Sequence, residues 1–312
     1  MRTLRSPLKA AVTLTFQQAL TETQAALESA DVWCGHGYDS AHDEAVALML
    51  AAAELPVSTG TEILSELMSD EQYAQLAEFT RLRIEQRLPT AYIIGRSWLG
   101  PLEFLTDARA LIPRSPLMEV IGYGFEPWWS GGAVQCIVDV CCGGGSLGLL
   151  AAHEFPDAQV RLLDLDCDAL ALAQENLDLH GFDNVTLTQG DLLAPLTPAS
   201  ADIILANPPY VDAEDMASLP PEYLHEPRLA LAAGHDGLDL VHRLLLQAAY
   251  VLRPGGVLFL EVGNSWLALE QAYPETAFTW LMFESGGHGV CTLSHSDLQT
   301  LRTHAERYAQ RV

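Results

Sequence analysis

Helical periodicity dominates the first quarter of the chain. Residues 13–88 are rich in Ala, Leu, Glu and Gln, and the apolar residues Ala45, Leu48, Met49 and Ala52 recur at the spacing of one helix face. This pattern predicts a small bundle of helices.

The pattern changes between Pro89 and Pro116, where glycines and prolines interrupt the chain. Two short apolar runs, Trp98–Leu105 and Ala108–Ile112, stand on either side of Thr106-Asp107. Runs of this length separated by turn-forming residues are typical of paired strands. We therefore expect a β-hairpin that links the helical bundle to the rest of the chain.

Short β-rich runs alternate with helical patterns from Val134 onward. Such alternation is typical of a parallel sheet with helices on both faces, because each parallel strand needs a crossover connection. The predicted strands are Val134–Val140, Val160–Leu163, Val185–Thr188 and Ile203–Ala206, and the helices between them are Leu147–Phe155 and Ala169–Leu179.

The last third of the chain breaks this alternation. A helix at His242–Leu252, a Pro254-Gly255-Gly256 turn and a strand at Val257–Val262 come first, and two strands, Phe278–Phe283 and Val290–Leu293, follow. The short loop between these two strands forces an antiparallel pair. A mostly parallel sheet that ends in an antiparallel hairpin is similar to the seven-stranded, Rossmann-like α/β fold of S-adenosylmethionine-dependent methyltransferases, whereas dinucleotide-binding sheets are typically parallel throughout.

The length of 312 residues exceeds the usual size of one compact core, so we expect more than one domain. The expected boundaries are 1–88 for a helical domain, 89–118 for the hairpin linker and 119–312 for the α/β domain. Hydrophobic residues make up 49% of the chain and charged ones 18%, as in a globular protein. No apolar run approaches the roughly 18 residues of a membrane span, so we expect no membrane partner.

Neither the N-terminus nor the cysteines point to secretion. Residues 1–20 mix Thr and Gln into their apolar stretch and lack a clear cleavage site, so they predict a first helix and not a signal peptide. The six cysteines show neither the paired spacing of a zinc site nor the density of a disulfide scaffold. These features favour a cytoplasmic protein without a bound metal.

Acidic residues outnumber basic ones by 41 to 16, which gives a net charge of -25. This charge repels the phosphate backbone of nucleic acids and attracts a basic partner. It argues against stable nucleic-acid binding. A second interpretation, in which the acidity only keeps the protein soluble, stays open.

A glycine-rich turn follows the first predicted strand of the sheet. Its glycines let the backbone bend sharply and approach a ligand, while the next helix presents free N–H groups. Gly143, Gly145 and Gly148 also match the dinucleotide pattern G-x-G-x-x-G, so the turn alone leaves both NAD and S-adenosylmethionine as candidate ligands. Cys141 and Cys142, which open the turn, are interpreted as small buried residues and not as reactive thiols.

Three aspartates lie at or near predicted strand ends. Asp164 stands about 20 residues after Gly143, where its carboxylate can accept both ribose hydroxyl hydrogens of a nucleotide cofactor. Asp139 precedes the glycines, where methyltransferases commonly keep an acidic residue that positions the loop and faces the sulfonium or amino group. Asp191 is placed to accept from an adenine amino group, with Leu192 packing on the ring. Each aspartate also has a purely structural interpretation, as a cap or turn residue.

The tetrapeptide Asn207-Pro208-Pro209-Tyr210 follows a short apolar strand at the carboxyl edge of the predicted sheet. An amide nitrogen is a poor nucleophile because its lone pair is delocalised, so an enzyme gains from fixing the NH2 group with two acceptors. The Asn207 side-chain oxygen and the Pro208 carbonyl can supply both, since Pro209 has no N–H and holds its predecessor extended. Tyr210 can stack on the flat amide. The motif predicts methylation of a planar amide or amine nitrogen, although Asn-Pro-Pro can also serve as a rigid turn.

Residues 207–238, which read NPPYVDAEDMASLPPEYLHEPRLALAAGHDGL, resemble the protein glutamine methyltransferases that act on the translation machinery. One branch of that family methylates peptide chain release factors and carries a Pro-Arg-Pro-Asp-Thr-Glu pattern. The other methylates the third protein of the large ribosomal subunit and carries Pro-Arg-Ser-Pro. This chain has Pro113-Arg114-Ser115-Pro116 and Glu261-Val262-Gly263-Asn264-Ser265, which resemble the ribosomal-protein branch.

The resemblance implies that a glutamine side-chain amide in a basic ribosomal protein receives the methyl group, which agrees with the acidic net charge. It also implies that the helical domain and the hairpin recognise the substrate, and we expect the enzyme to act as a monomer. In the glycine turn the family usually has Thr-Gly-Ser-Gly where this chain has Cys142-Gly143-Gly144-Gly145. The candidate catalytic residues are Asn207, Pro208, Pro209 and Tyr210, and the candidate cofactor-binding residues are Asp139, Cys141, Gly143, Gly145, Asp164, Asp191, Leu192 and Asn207.

Other functions remain as alternatives. Glutamine methylation of release factors is the nearest, and adenine-N6 methylation of nucleic acid presents the same two hydrogens to the same tetrapeptide. An NAD-dependent oxidoreductase accounts for the glycine turn but leaves the tetrapeptide unexplained. A fourth alternative is a ribosome-assembly factor that has lost its catalytic activity, and the intact tetrapeptide argues against it.

Overall fold

The computed structural model describes residues 14–284 and 286–309, so part of the predicted first helix, residues 1–13, lies outside the described residues. Contacts between residues divide the chain after Ile94 into two compact units. This division falls a few residues beyond the expected boundary at residue 88. The two units are described one by one below.

The first unit consists of helices whose starts are capped by side chains. Thr15 and Ser69 each form a capping box with a glutamine three residues later, which satisfies backbone N–H groups at the helix start. A buried salt bridge joins Arg83 to Glu44 at 2.6 Å, and the Thr90 hydroxyl donates to the same carboxylate at 3.0 Å. The helices are α1 (Phe16–Ser29), α2 (Ala41–Ala52), α3 (Asp70–Glu85) and α4 (Thr90–Ile94), with a 3-10 helix at Thr61–Ser65.

The second unit begins with a hairpin that differs from the predicted one. β1 (Arg96–Leu99) pairs antiparallel with β2 (Leu102–Leu105) across a Gly-Pro turn, so the first of the two predicted runs contains all of β2 and the second half of β1. The prediction of a second strand at Ala108–Ile112 was wrong. Asp107 starts a turn there, because its carboxylate accepts a hydrogen bond from the Arg109 N–H at 2.9 Å.

A seven-stranded sheet forms the centre of the second unit, in the order β5-β4-β3-β6-β7-β9-β8. The first five strands in this order are parallel, and β9 runs antiparallel to both of its neighbours. The predicted α/β fold, with a mostly parallel sheet and a C-terminal antiparallel pair, is confirmed. The strands are β3 (Cys136–Val140), β4 (Gln159–Asp164), β5 (Val185–Gln189), β6 (Ala201–Ala206), β7 (Leu252–Glu261), β8 (Thr279–Trp280) and β9 (Val290–Ser294).

Helices cover both faces of this sheet. Side chains of β6 alternate between two apolar cores, since Ile203 and Leu205 pack with helices of one face and Ile204 and Ala206 with helices of the other. The first face carries α5 (Leu117–Gly122), α6 (Ser146–Glu154) and α7 (Cys167–His180), and the second carries α9 (Asp239–Val251), α10 (Trp266–Ala272) and α11 (His295–Ala309); α8 (Ala213–Ser218) follows the tetrapeptide. None of the helices in the described ranges has both the length and the hydropathy needed to cross a membrane.

Two strands differ in length from their predictions. β7 begins at Leu252, so the predicted Pro254-Gly255-Gly256 turn lies inside the strand as an irregularity in its pairing with β6. Pro254 has no N–H for the ladder and Gly255 adopts a φ of 86°, which explains why the pairing is interrupted there. β8 keeps only two residues of the predicted Phe278–Phe283 strand.

The strand order creates a crevice at one edge of the sheet. The chain leaves β3 for β4 on one side and later enters β6 on the other side of β3. Helices that follow β3 and β6 therefore diverge to different sides, and ligands of open α/β sheets bind at such a point, outside the carboxyl ends of the strands.

The side chain of Asn176 in α7 forms hydrogen bonds with the end of the β1–β2 hairpin. Its side chain is buried and makes three hydrogen bonds, accepting from the Leu105 N–H at 2.7 Å and donating to the carbonyls of Leu105 at 3.2 Å and Gly144 at 3.0 Å. We expect Asn176→Leu to lower the free energy of unfolding of the second unit by about 2 to 4 kcal/mol, because buried backbone groups lose their partners.

Urea unfolding followed by tryptophan fluorescence measures this loss, since five of the six tryptophans lie after residue 94. Gln174→Leu on the exposed side of the same helix is the matched control, with an expected change within about 0.5 kcal/mol. Equal stability of the two variants would contradict the role assigned to Asn176.

Candidate active site

The glycine turn joins β3 to α6 in a tight connection. Gly143 and Gly145 have φ values of 53° and 83°, in the region that side chains rarely allow. Gly148 brings the helix against the sheet, because a Cβ there would lie 2.0 Å from Cδ2 of Leu162. The helix begins at Ser146 without a side-chain cap from Gly145. The N–H groups of Ser146 and Leu147 have no partner among the described residues and are available to a ligand, whereas the Gly148 N–H donates to Asp139.

Asp139 lies directly beneath this turn. Its carboxylate is buried, and Oδ2 accepts a hydrogen bond from the Gly148 N–H at 2.8 Å. Burial raises the pKa of Asp139 to about 7, the nearby charge of Asp164 adds to the rise, and the hydrogen bond opposes it. This hydrogen bond ties Asp139 to the first turn of α6, and its expected role toward the cofactor stays a prediction.

Asp164 and Asp191 hold partners of their own. The Asp164 carboxylate accepts from the Gly143 N–H at 2.8 Å and from the Asp166 N–H at 2.9 Å, and burial raises its pKa. Asp191 is half exposed, and one of its oxygens forms an ion pair with Arg243. Each carboxylate oxygen has more than one lone pair, so both aspartates retain acceptor capacity for a ligand.

A cleft opens between these groups at the carboxyl edge of the sheet. Together with the open solvent at its mouth it holds about 1040 Å³, a size suited to a small-molecule ligand. The predicted residues that line it are Asp139, Cys141, Gly143, Asp164, Asp191, Leu192, Asn207 and Pro209. Gly145, Pro208 and Tyr210 are not part of the lining, and Gly145 acts by shaping the turn.

The tetrapeptide begins where β6 ends. Ala206 pairs with Val140 on one side and with Leu260 on the other, so Asn207 emerges beside the glycine turn. The Asn207 side chain forms no hydrogen bond with the part of the chain that the structure describes, which leaves its oxygen available. Pro208 and Pro209 are buried and hold the following residue in place.

Tyr210 is bound to residues beside the cleft and not to its lining. Its hydroxyl donates to Oε1 of Glu261 at 2.9 Å, and its carbonyl accepts from the Ser265 hydroxyl at 2.8 Å. A Cβ on Gly263 would lie 2.5 Å from Cε2 of the tyrosine ring, so this glycine makes room for the ring. Stacking of Tyr210 on a substrate amide stays a prediction.

Two acidic residues at the site were not assigned a role from the sequence. Glu226 forms a bidentate salt bridge with Arg114, at 2.6 and 2.8 Å, and also accepts from the Ile112 N–H at 3.0 Å. The Arg114 guanidinium lies over the Tyr223 ring, 5.6 Å from its centroid. Glu261 accepts from Tyr210. The sequence analysis named it only as part of Glu261-Val262-Gly263-Asn264-Ser265 and gave it no role of its own, although a glutamate at the end of an apolar strand was a visible signal.

Comparison with known proteins agrees with this arrangement. Residues 131–234 match the Methyltransferase small domain family. The ribosomal protein uL3 glutamine methyltransferase of Neisseria gonorrhoeae is 41% identical over 282 residues, which cover 89% of this chain and 93% of that protein. The protein of the same name from Francisella tularensis subsp. tularensis is 38% identical over 283 residues, 90% of each chain. This chain belongs to the ribosomal protein uL3 glutamine methyltransferase family.

Among solved structures, the hMettl16 catalytic domain in complex with MAT2A 3'UTR hairpin 6 has the same fold. The TM-score is 0.50 at 15% identity, over 79% of this chain and 91% of that chain. At this identity the likeness concerns the fold alone.

Family membership confirms the predicted methyltransferase activity and the predicted methyl donor, S-adenosylmethionine. When bound, this cofactor supplies an electrophilic methyl group on a positively charged sulfur. The cleft fits it, because the buried carboxylates suit its positive charge, the uncapped start of α6 suits its carboxylate, and Asp164 and Asp191 suit its hydroxyl and amino groups.

We expect the affinity for S-adenosylmethionine to fall as the pH falls below 7. Because the pKa of Asp139 is about 7 in the free protein, the carboxyl loses its negative charge at lower pH and attracts the cationic ligand less. If only the ionised form binds, the dissociation constant rises about fivefold from pH 7 to pH 6.

Calorimetric titration at pH 6, 7 and 8 measures this dependence, with Asp139→Asn as the matched variant. We expect weaker binding by Asp139→Asn and a flatter pH dependence, which separates Asp139 from Asp164. The same slope in both proteins would show that another group is responsible.

Proposed function

We propose that this enzyme transfers a methyl group from S-adenosylmethionine to the side-chain amide nitrogen of a glutamine in ribosomal protein uL3, the third protein of the large subunit. The observation that carries the proposal is the position of Asn207 at the cleft, next to the glycine turn. The names of two relatives that match about nine-tenths of the chain support the substrate.

The tetrapeptide supplies two acceptors for one NH2 group. The Asn207 side-chain oxygen accepts one amide hydrogen and the Pro208 carbonyl accepts the other, which fixes the plane of the amide and aims its face at the methyl group. Both acceptors carry negative partial charge, so they stabilise the positive charge that develops on nitrogen during transfer. No strong base is needed before transfer, and the proton leaves afterwards.

The other predicted residues are proposed to hold the cofactor. Asp164 accepts from the ribose hydroxyls, Asp191 accepts from the adenine amino group with the oxygen that Arg243 leaves free, and Leu192 packs on the ring. Asp139 faces the positive end of the cofactor. Cys141, Gly143 and Gly145 complete the proposed cofactor site, and Asn207, a candidate for both roles, borders it while its side chain serves the substrate amide.

The acidic charge of the chain supports a basic protein substrate. At a net charge of -25 the enzyme attracts a basic ribosomal protein and repels nucleic acid, so we propose that it forms no stable nucleic-acid complex. We further propose that the N-terminal helical domain recognises the substrate, and that the enzyme acts as a cytoplasmic monomer. The domain boundaries at residues 88 and 118 belong to the same proposal.

We expect Asn207→Ala to lower kcat at least about tenfold while the dissociation constant of S-adenosylhomocysteine changes less than about threefold. Loss of one positioned acceptor costs on the order of 2 kcal/mol in the transition state. Asn184→Ala is the matched control, because Asn184 precedes β5 at the opposite edge of the sheet and holds the carbonyls of Phe155 and Ala158. Equal loss of cofactor binding and turnover in Asn207→Ala would mean that Asn207 serves the cofactor and not the substrate.

We expect labelled methyl groups from S-adenosylmethionine to appear in purified uL3, on one glutamine, and not in release factors, RNA or DNA. Mass spectrometry of the peptides locates the modified side chain. Label in a release factor would favour the other branch of the family, and label only in nucleic acid would favour adenine methylation and overturn the proposed substrate.

A further inference from the structure

Glu261 lies where the sheet meets the tetrapeptide. It is the last residue of β7, and its neighbour Leu260 pairs with Ala206, the residue before Asn207. Parallel pairing therefore places Glu261 level with the start of the tetrapeptide. Its side chain is buried.

Two hydroxyl groups donate to the Glu261 carboxylate, one to each oxygen. The Ser115 hydroxyl donates to Oε2 at 2.6 Å, and the Tyr210 hydroxyl donates to Oε1 at 2.9 Å. Ser115 also accepts from the Leu117 N–H at 3.2 Å, at the start of α5. One carboxylate thus joins the segment that forms a wall of the cleft to the end of the tetrapeptide.

This carboxylate is costly to bury. Burial raises the pKa of Glu261, while the hydrogen bonds from Ser115 and Tyr210 and the charge of Arg114 oppose the rise. An apolar side chain of similar size would avoid the cost of desolvation. The ionised carboxylate lets both hydroxyls donate, whereas an amide in its place accepts from one of them and requires the other to turn and accept.

Tyr210 connects the Glu261 carboxylate to the rest of the tetrapeptide. Its ring packs against Gly263 and its carbonyl is held by Ser265, so the residue is fixed at three points. Two prolines precede it, and their rings lock two backbone torsions. With the strand end at Ala206 fixed on the other side, few torsions remain free for the two acceptors.

We propose that Glu261 is a positioning residue of the transfer reaction, which holds the hydroxyls of Tyr210 and Ser115 and thereby fixes the position of the two proposed amide acceptors, Asn207 and Pro208, relative to the Ser115 segment of the cleft. Glu261 acts through these hydroxyls and does not touch the substrate. The inference rests on the proposed function for the identity of the substrate, and on the observed contacts for the positioning itself.

The test compares Glu261→Gln, Tyr210→Phe and the double variant in a cycle. The glutamine keeps one acceptor and turns the other into a donor. We expect Glu261→Gln to lower kcat on uL3 at least about tenfold, while KM and the dissociation constant of S-adenosylhomocysteine stay within about threefold, because displacement of a positioned group costs turnover. The double variant should be no more than about twofold below the poorer single variant, since both changes break the same contact.

Tyr273→Phe is the matched control. It removes the hydroxyl of a buried tyrosine that bonds to His242 in the core beside α9, away from the cleft. We expect it to lower stability and leave kcat unchanged. Unchanged kcat in Glu261→Gln, or effects of the two single variants that multiply in the double variant, would overturn the proposal.

Hydrogen exchange measured by mass spectrometry separates this inference from the proposed function. In Glu261→Gln we expect faster exchange in peptides that cover residues 112–122 and 207–218, and unchanged exchange elsewhere in the sheet. If the wild-type enzyme fails to methylate uL3 while this exchange pattern appears, the proposed substrate is wrong and the positioning role of Glu261 still holds. If Glu261→Gln does not fold, Tyr210→Phe decides alone, and an unchanged kcat in that variant overturns the proposal.

Discussion

Parallel pairing of β3 with β6 places the glycine turn beside the tetrapeptide. Val140, the last residue of β3, pairs with Ala206, the last residue of β6, so the two loops leave the sheet at the same level. At this point both loops have left the hydrogen-bond ladder of the sheet, and they present backbone and side-chain polar groups to one cleft. In the proposed function, the first loop holds the cofactor and the second the substrate, and this pairing places the two adjacent without any further rearrangement of the chain.

Buried and half-buried carboxylates hold this edge of the sheet together. Asp139 and Asp164 each accept from an N–H of the glycine turn or its helix, Glu226 accepts from Arg114, and Glu261 accepts from Ser115 and Tyr210. The desolvation of each charge is offset by hydrogen bonds that cannot all form if a neighbouring segment moves. Movement of either loop would leave one of these carboxylates without its hydrogen bonds, at a cost in free energy that holds the loops in place.

Nothing in the structure requires a glycine at Gly144, where the family usually has a serine. A Cβ at Gly144 would meet Leu172 at 3.4 Å and the Asn176 side chain at 3.5 Å, which are ordinary contacts, so a serine fits there. The carbonyl of Gly144 is already held by Asn176. The shape of the turn therefore depends on its backbone contacts and not on the side chain at this position.

Much of the molecule followed from the sequence because its determinants are local. Periodicity located the helices and the parallel strands. The glycine turn and the tetrapeptide were recognised from their residue types and from their positions at the ends of predicted strands. The first hairpin was misplaced because an Asx turn at Asp107 competes with an apolar run, and periodicity alone does not show which of the two prevails.

The partners of the buried acids were decided by the tertiary structure alone. Ser115 and Glu261 are separated by 146 positions and Arg114 and Glu226 by 112, and no local pattern states which distant donor a carboxylate will meet. The sequence by itself determined which groups are proposed to perform the chemistry, since the two proposed acceptors of the substrate amide and the glycine turn are each contiguous motifs. Only the folded sheet, by bringing strand ends to one level, decided what holds those groups in position.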